Sequence, residues 1–490
     1  MDNKNIVTTT DYLKVEREKW DLHVSCFVSD IADISFTNNE YSISEKEREN
    51  KMNKEENQEF KTAKLTVIIN ARIFNGEKVI DEQNVIIDGE NIVAIGGEVP
   101  AGATIVNAQG ATLMPGFIDS HVHTSLDGLR HALKFGVTTE LEMMGGYTKT
   151  GRELELKGID DIADVRSAGM GVTPPGGHPD ELMGGDGIPD FVLKEMEKMT
   201  EEEKAAFIVA HEQQHNHGEE SPSVTTLQGA IKHVNEQVSQ GADYVKILIE
   251  EGTVMNSPGL PVLSDDIYKA AVDEAHKLDK IVLAHVLTAE SSKTAINLGV
   301  DGLAHVFIDR PLWTPELIKE IADSGAFVTP CLVLNSSIIG KPASDLATDP
   351  RVSSKLSQEW MDTLNSSFNT FPQGNMKDNF NNVMDLHNAG VDILVGTDVS
   401  VPIPTLGGLA HGASVHHELQ LLVEAGFTPI EALRAATSVP ARRFSLTDRG
   451  RIVVGARADL LLVDGDPTIN ISDTLSIKTV WNRGLRLATI

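Results

Sequence analysis

The sequence has little of several features that mark special classes of protein. It contains only 2 cysteines in 490 residues, too few for a disulfide framework, so we expect Cys26 and Cys331 to be reduced thiols. No apolar run reaches the roughly 18 residues needed to cross a bilayer, and the N-terminal segment lacks the hydrophobic core of a signal peptide. We therefore expect a cytoplasmic protein, with secretion by a route that needs no signal peptide as the alternative.

Positive charge is also scarce. Lysine and arginine total 42 against 72 aspartate and glutamate, which gives a net charge of −30. A binding face for nucleic acid or for an anionic membrane needs clustered basic residues, so we expect neither partner. Aromatic residues make up only 5%, but the hydrophobic fraction of 41% is enough for a sizeable core and excludes a chain that is disordered throughout.

The chain divides into segments of different composition. Residues 1–62 are predicted to be a charged N-terminal extension, because SEKERENKMNKEENQEFKTAK has few apolar residues and no glycine. Residues 63–112 and 445–490 alternate short β-branched runs with turn signals such as NG and DG. We predict that these two segments, from both ends of the chain, form one small β-sandwich domain.

Residues 113–444 alternate predicted strands with predicted helices. Eight apolar stretches are typical of strands: TLMPGFIDSHVH, VTTELEMM, DVRSAGMGVT, ADYVKILIE, KIVLAHV, GLAHVF, AFVTPCLVL and DILVGTD. Amphipathic stretches such as TTLQGAIKHVNEQVSQ and SDDIYKAAVDEAHKLD lie between them. This order predicts an α/β fold in which residues 113–444 form a (β/α)8 TIM barrel, with a doubly wound sheet as the alternative.

Polar residues stand near the carboxyl ends of five of these strands, where TIM barrels carry their chemistry. They are, in chain order, His121, His123, Lys246, His285, His305 and Asp398. The first two are two residues apart on one strand, so their imidazoles point the same way. Each residue alone has a structural explanation, such as a core histidine or a helix-capping aspartate. Chance would scatter them along the strands, so together they indicate a functional site.

The motifs around these residues resemble the metal-dependent amidohydrolase superfamily. The resemblance rests on LMPGFIDSHVH, two copies of LAHV, and VGTD. The closing segment ALRAATSVPARRFSLTDRGRIVVGARADLLLVDGDP is similar to the family's last helix and its return to the β-sandwich. The resemblance covers residues 65–490, and GADYVKIL, GVTTELEMMGG and PPGGH are similar to the branch that contains Xaa-Pro dipeptidases and ochratoxinase-type amidases.

The resemblance implies a centre of two divalent metal ions, with zinc as the expected metal. His121, His123 and Asp398 would bind the more buried ion. His285 and His305 would bind the second ion. Homo-oligomeric assembly is also expected for this branch.

The resemblance also implies a mechanism. Lys246 would be carboxylated to N6-carboxylysine, which supplies the bridging oxygen ligand that an unmodified lysine lacks. A hydroxide that bridges the two ions would attack an amide carbonyl, with Asp398 as general base and then general acid. The expected substrates are small N-acyl amino acids, dipeptides or ochratoxin-like amides.

The loop after the third predicted strand carries a further candidate. His178, in TPPGGHPDELMGGDG, is predicted to contact the substrate or the developing oxyanion, and a surface histidine is the alternative. A substrate carboxylate would need a cationic partner, for which Arg152, Arg166 and Lys341 are candidates.

Two other groups of histidines need separate explanations. His211 and His215 form a literal H-E-x-x-H motif, which binds zinc in one class of metalloproteases. Its polar context, AHEQQHNHGEESPS, favours a solvated helix end or a lid instead. His411, His416 and His417, in HGASVHHELQ, are expected on the surface of a helix, with a position at the mouth of the site as the alternative.

Other functions remain as alternatives to a binuclear amidase. A mononuclear deaminase on the same barrel typically lacks the bridging lysine, and a lactonase would attack an ester with the same hydroxide. A metalloprotease would use the H-E-x-x-H motif. A non-catalytic scaffold would be expected to have lost ligands, whereas all six positions are present here.

Overall fold

The computed structural model of the chain describes residues 65–182 and 224–487, and the predicted extension at residues 1–62 lies outside them. The strands are β1 Thr66–Ile69, β2 Arg72–Phe74, β3 Val79–Ile80, β4 Val85–Asp88, β5 Asn91–Ile95, β6 Thr104–Asn107, β7 Thr112–Pro115, β8 Phe117–Val122, β9 Val137–Glu142, β10 Asp164–Ser167, β11 Val245–Leu248, β12 Val282–His285, β13 Gly302–Ala304, β14 Phe327–Thr329, β15 Leu460–Val463, β16 Ile477–Asn482 and β17 Leu485–Arg486.

The helices follow the same chain order. They are α1 Leu126–Lys134, α2 Lys149–Gly151, α3 Leu227–Ser239, α4 Asp265–Lys277, α5 Ala289–Leu298, α6 Thr314–Ser324, α7 Leu332–Ile338, α8 Ser344–Thr348, α9 Pro350–Ser353, α10 Gln358–Leu364, α11 Met376–Asn388, α12 Ala413–Ala425, α13 Pro429–Ala435 and α14 Ser438–Arg443. A π-helical turn spans Arg152–Leu156, and 3-10 turns span Asp180–Leu182, Pro404–Leu406 and Ile471–Leu475. Across the described ranges, no helix is both long and apolar enough to cross a membrane.

Two sheets come from the ends of the described chain. One has the order β5-β4-β1-β6, and the other has the order β17-β16-β15-β7-β2-β3. In the second sheet β15 pairs with β7 in antiparallel register, so C-terminal and N-terminal strands share one sheet. The buried side chains of Ile68, Ile73, Leu113, Leu460 and Trp481 belong to one hydrophobic cluster that joins the two sheets.

Two parallel sheets carry the strands that alternate with helices. Their orders are β10-β9-β8 and β11-β12-β13-β14. Isolated parallel bridges extend these sheets: Val172 pairs with Ile247, Val328 with Ile393, and Val122 with Val399. Since parallel strands need a crossover between them, the helices cover the sheets, and the strands are buried except at Asp164 and Arg166 of β10. The prediction of an α/β fold is therefore confirmed.

Three predicted strands differ from the observed ones. In AFVTPCLVL only Phe327–Thr329 is a strand, and helix α7 begins at Leu332. TLMPGFIDSHVH is not one strand, because the chain divides at Gly116 into β7 and β8, which belong to different sheets. A Cβ atom at Gly116 would lie 2.3 Å from the side chain of Thr138, so only glycine fits this close approach. DILVGTD pairs through the isolated bridges at Ile393 and Val399 rather than as a continuous strand.

The helices of the central region have clear start and stop signals. The predicted helix in TTLQGAIKHVNEQVSQ is α3, which begins after Thr226, whose side chain accepts a hydrogen bond from the amide of Gly229. Helix α5 has a capping box between Thr288 and Ser291 and ends at Gly299 in the left-handed region. These signals end each helix close to the next strand and thereby set where each strand ends.

Candidate metal centre

His121 and His123 meet one carboxylate at the end of β8. Nε2 of His121 lies 3.0 Å and Nε2 of His123 lies 3.1 Å from Oδ1 of Asp398. The amide of Asp398 donates to the carbonyl of His121 at 2.7 Å, which aligns the two chain segments. Asp398 has a φ of 60°, a left-handed conformation in which aspartate is several-fold enriched among non-glycine residues. The period of two along the strand and the turn at Asp398 together produce this three-residue cluster.

A buried aspartate below the cluster fixes this alignment. Oδ2 of Asp119 accepts a hydrogen bond from the hydroxyl of Thr397 at 2.7 Å, and Oδ1 accepts from the amides of Thr397 and His121 at 3.1 and 3.2 Å. Burial raises the pKa of Asp119 well above its ordinary value, and the nearby Glu140 carboxylate raises it further. Asp119 thus holds the backbone on both sides of the His121–Asp398 contact.

His285 and His305 approach the same cluster from β12 and from the end of β13. Nε2 of His305 lies 3.5 Å from Oδ2 of Asp398. The ring of His305 stacks on that of His121, with 4.7 Å between centroids. The ring of His285 meets that of His305 edge-on, at 5.2 Å between centroids. The structure therefore brings together the four histidines and the aspartate that the sequence predicts as metal ligands.

Lys246 is buried beside these groups, with 2% of its surface exposed. Within residues 65–182 and 224–487 its Nζ atom has no hydrogen-bond partner. Burial lowers the pKa of Lys246 to about 8, although the Asp398 carboxylate acts to raise it. The charge of Lys246 in turn lowers the pKa of His121 and of His285, which places its amine within electrostatic range of the cluster.

The electrostatics of the cluster favour the protonation states that a metal needs. Burial, followed by the nearby Lys246 charge, lowers the pKa of His121 to about 4. Burial also brings the pKa values of His285 and His305 well below the ordinary value. Burial acts to raise the pKa of Asp398. The interactions of its carboxylate with His121 and His305 outweigh this effect of burial, so the pKa of Asp398 lies well below its ordinary value. Neutral imidazoles and an ionised carboxylate are the forms that ligate divalent metals.

His123 differs from the other histidines of the cluster. Burial acts to lower its pKa, but the hydrogen bond and the charge of Asp398 outweigh burial, so the pKa is raised above the ordinary value. Its Nδ1 atom lies 3.2 Å from the carbonyl oxygen of Met144, which fixes the ring with Nε2 toward the cluster.

His178 lies against the cluster rather than on the protein surface. Its ring centroid is 4.3 Å from that of His285, and 9% of the residue is exposed. Nδ1 of His178 lies 2.6 Å from Oε1 of Glu181, which orients the ring. The alternative of a surface histidine is wrong, and the ring lies where it can reach a group bound next to His285.

Comparison with known proteins assigns the chain to a family. The sequence model described as "Amidohydrolase family" matches residues 181–487, which is more than half of the chain. The chain belongs to the amidohydrolase family. The matched segment begins after His121 and His123 and includes the other four predicted ligands.

Relatives of this amidohydrolase agree with the predicted branch. The chain is 29% identical over 259 residues to ochratoxinase from Aspergillus niger, an alignment that covers 51% of this chain and 47% of that protein. The alignment thus spans about half the length of the curated relative. The structure of a prolidase complexed with N-methylphosphonate-L-proline has a TM-score of 0.63 at 24% identity, covering 87% of this chain and 100% of the prolidase.

A second solved structure shows the same fold. A Xaa-Pro dipeptidase with bound methionine has a TM-score of 0.63 at 22% identity, covering 86% of this chain and 99% of the dipeptidase. Identities of this size show a shared fold and no more. The predicted resemblance to amidohydrolases is confirmed, with ochratoxinase among the sequence relatives and dipeptidases among the structural neighbours.

The amidohydrolase site contains side chains that sequence reasoning missed. Oε2 of Glu250 lies 3.4 Å from Nε2 of His285, and its other oxygen accepts from the amide of Gly252 at 2.7 Å. Cys331 is buried, and its sulfur lies near two of the predicted ligands. Glu250 and Cys331 lie within the predicted strands ADYVKILIE and AFVTPCLVL, two residues beyond the observed ends of β11 and β14. Their position at a strand end was the signal that could have identified them.

The three candidate partners for a substrate carboxylate lie in other environments. Nη1 of Arg152 is 2.6 Å from Oδ2 of Asp243, and Nη1 of Arg166 is 2.9 Å from Oδ1 of Asp164. Lys341 is exposed. The two guanidinium groups are thus already paired with carboxylates, which weakens their assignment to substrate binding.

The predictions for the remaining histidines are partly wrong and partly untested. His411 and His416 are 1% and 0% exposed, so the prediction that they lie on a helix surface is wrong. Helix α12 is buried on most of its faces because it packs against the 3-10 turn Ile471–Leu475 and against α7 and α11. The H-E-x-x-H motif at His211 and His215 lies outside the described residues.

Proposed function

We propose that this chain is a binuclear metal-dependent hydrolase that cleaves the amide bond of a small N-acyl amino acid, dipeptide or ochratoxin-like substrate. The observation that carries the proposal is that His121 and His123 both direct Nε2 to one oxygen of Asp398, at 3.0 and 3.1 Å. Two imidazoles and a carboxylate that converge in this way suit a divalent ion such as zinc.

The proposal includes a closed (β/α)8 barrel and a separate β-sandwich domain. The bridges from Val172 to Ile247 and from Val122 to Val399 support continuation of the two parallel sheets into one ring. The sheet shared by β7 and β15 supports a sandwich domain built from residues 63–112 and 445–490. A closed barrel would place all the ligand-bearing strand ends on one face.

We assign the second ion to His285 and His305, with Lys246 as a bridging N6-carboxylysine. Both ring nitrogens of His305 and the Nζ atom of Lys246 are buried and have no hydrogen-bond partner within the described ranges. Polar atoms buried without partners are costly, so a bound group that satisfies them is the simplest explanation. A lowered lysine pKa increases the neutral fraction of the amine, which is the form that reacts with carbon dioxide.

The residues around the site have distinct roles in this proposal. Divalent ions, when bound, supply a water of lowered pKa and a Lewis acid for the substrate carbonyl. Asp398 accepts the proton of the attacking water, because its lowered pKa keeps it ionised, and delivers that proton to the leaving nitrogen. His178, oriented by Glu181, donates a hydrogen bond to the substrate or to the developing oxyanion.

The alternatives of a mononuclear deaminase and a lactonase make different predictions. A single-metal deaminase has no use for a buried amine at Lys246, whereas a bridging ligand gives this side chain a role. A lactonase would share all six ligands and differ only in cleaving an ester. The choice between amide and ester therefore depends on substrate tests.

The proposal is tested by a hydrolysis screen with metal analysis on the same sample. The panel contains N-acyl amino acids, Xaa-Pro dipeptides, ochratoxin-like amides, lactones and adenine. We expect about two divalent ions per chain and turnover of at least one amide, lost when the metals are removed and restored when zinc is added. One ion per chain, or full metal loading with no amide turned over, would contradict the proposal.

A double variant tests the competing metalloprotease motif. His211→Ala with His215→Ala should keep both the metal content and the amidase activity, since neither residue belongs to the proposed centre. Loss of the catalytic metals in this variant would show that the H-E-x-x-H motif holds them.

A further inference from the structure

We propose that Cys331 supplies a thiolate ligand to the proposed two-ion centre, from a position beside His121 and His305. The proposal rests on the proposed metal centre and adds a seventh side chain to it. It predicts a sulfur-containing coordination sphere in place of one made only of nitrogen and oxygen donors.

The geometry of three buried side chains carries this inference. The ligand atoms of His121, His305 and Cys331 all lie within 4.8 Å of one another, and the three residues are buried. Zinc binds imidazole nitrogen at about 2.0–2.1 Å and thiolate sulfur at about 2.3 Å, so donors in a tetrahedral site are roughly 3.5 Å apart. The sulfur therefore lies next to both parts of the proposed centre, the ion assigned to His121 and the ion assigned to His305.

The unsatisfied polar atoms around the thiol point independently to a bound cation. His305 is completely buried, and neither of its ring nitrogens has a hydrogen-bond partner within the described ranges. Nδ1 of His121 is also without a partner there. A buried imidazole that only packed against its neighbours would be expected to find a partner for at least one nitrogen. One ring nitrogen of His121 and one of His305 lie within 4.8 Å of the Cys331 sulfur.

The backbone holds Cys331 in a position that few residues adopt. It lies just beyond the carboxyl end of β14, with a φ of 49° in the left-handed region. The next two amides, of Leu332 and Val333, donate to the two carboxylate oxygens of Glu418 at 2.9 and 2.8 Å. This buried clamp keeps the turn closed, so the Cβ of Cys331 has little freedom to turn away from the histidines.

The chemistry of the step is a simple exchange of a proton for a metal ion. The S–H bond breaks, the sulfur–metal bond forms, the proton passes to solvent, and no electrons are transferred. The Cys331 thiol is buried, and a bound cation would favour its deprotonated form. A thiolate favours soft and borderline ions such as zinc, cobalt and cadmium over manganese and magnesium.

Cobalt reports directly on sulfur ligation. The test uses the full chain with Cys26→Ser as the parent, so that Cys331 is the only thiol. Metals are removed with a chelator and Co²⁺ is added in steps, with the near-ultraviolet sulfur-to-cobalt charge-transfer band and the visible d–d bands recorded. We expect the charge-transfer band in the parent and its complete loss in the Cys331→Ser and Cys331→Ala variants.

Two measurements make the result decisive. Cobalt content and the d–d bands show whether each variant still binds metal through its histidines. If a variant fails to fold, the charge-transfer band of the parent still reports sulfur ligation. A parent that binds cobalt without the charge-transfer band overturns the thiolate ligand but leaves the proposed function intact. Persistence of the band after Cys331 is replaced also overturns it. A parent that binds no cobalt overturns the metal centre as well.

Discussion

Nδ1 of His411 lies 2.9 Å from Oε1 of Glu140, and both side chains are buried. Nε2 of the same imidazole lies 3.0 Å from the carbonyl oxygen of Ser400, two residues after Asp398. Both ring nitrogens of His411 thus face oxygen atoms of the buried interior. The pair connects β9 to the segment that places Asp398.

Removing one member of this pair should destabilise the protein. Glu140→Ala leaves the buried imidazole of His411 without its partner, at an expected cost on the order of 3–5 kcal/mol. The measurement is the free energy of unfolding from urea titration of the metal-free chain. As a control, Asp323→Asn breaks an ion pair with Lys319 whose side chains are 65% and 75% exposed, and should leave the stability almost unchanged. Equal effects of the two variants would contradict a structural role for Glu140.

Asp398→Asn should separate proton transfer from folding. Asparagine also tolerates the left-handed backbone found here and is similar in size, so the variant should fold and retain metal. It cannot accept the proton of the attacking water, so turnover should fall by about 10²–10⁴-fold. Turnover and metal content are measured together. Asp392→Asn, in an ion pair with Arg442, is the matched control and should keep full activity. Near-wild-type turnover of Asp398→Asn would contradict the assigned role.

Lys246→Met should lower metal content without unfolding the chain. Methionine is close in length to lysine and carries no charge, so it removes a buried amine that has no hydrogen-bond partner in the described structure. We expect the metal-free variant to be as stable as the wild type or more stable, and the metal content to fall from two ions to one or fewer. Thermal unfolding and elemental analysis measure both quantities.

The control for this variant is a lysine outside the site. Lys319→Met changes a side chain that is 75% exposed and should leave the metal content unchanged. If Lys246→Met still held two ions, Lys246 would not be a bridging ligand.

Acid should destabilise the metal-free chain partly through His416. Nε2 of this buried histidine donates to the carbonyl of Phe135 at 2.9 Å, and burial lowers its pKa from 6.5 to about 3. Below pH 6.5 the unfolded chain therefore binds a proton that the folded chain does not, and stability falls as the pH decreases toward the folded pKa.

His416→Gln should remove this contribution. The slope of unfolding free energy against pH, below pH 6.5, should decrease by up to about 1.4 kcal/mol per pH unit, which corresponds to one proton. His276→Gln, at an imidazole that is 39% exposed, is the control. An unchanged slope for His416→Gln would contradict a neutral buried imidazole. His121, whose pKa is lowered to about 4, also contributes to the pH dependence of stability, so part of the slope remains in every variant.

The short sequence motifs, taken together, predicted most residues of the candidate site. The spacing of His121 and His123 fixes their common direction, since side chains on a strand alternate with period two. The repeated LAHV motif predicted His285 and His305 at neighbouring strand ends, which the parallel pairing of β12 and β13 confirms. The sequence could not show that β7 and β8 divide at Gly116, because that division depends on contact with Thr138 on another strand.

Local pattern thus determined the α/β class, the central helices and the candidate ligands, because strand period, helix caps and strand-end polarity depend on near neighbours in the chain. Only the tertiary structure decided which distant residues meet. Glu140 and His411 are 271 residues apart in sequence, and the clamp from Glu418 to Leu332 spans 86 residues. No local signal encodes such contacts, since they arise when helices and parallel strands pack around one core. The same packing turned His411 and His416 inward and brought the Cys331 sulfur to the candidate metal ligands.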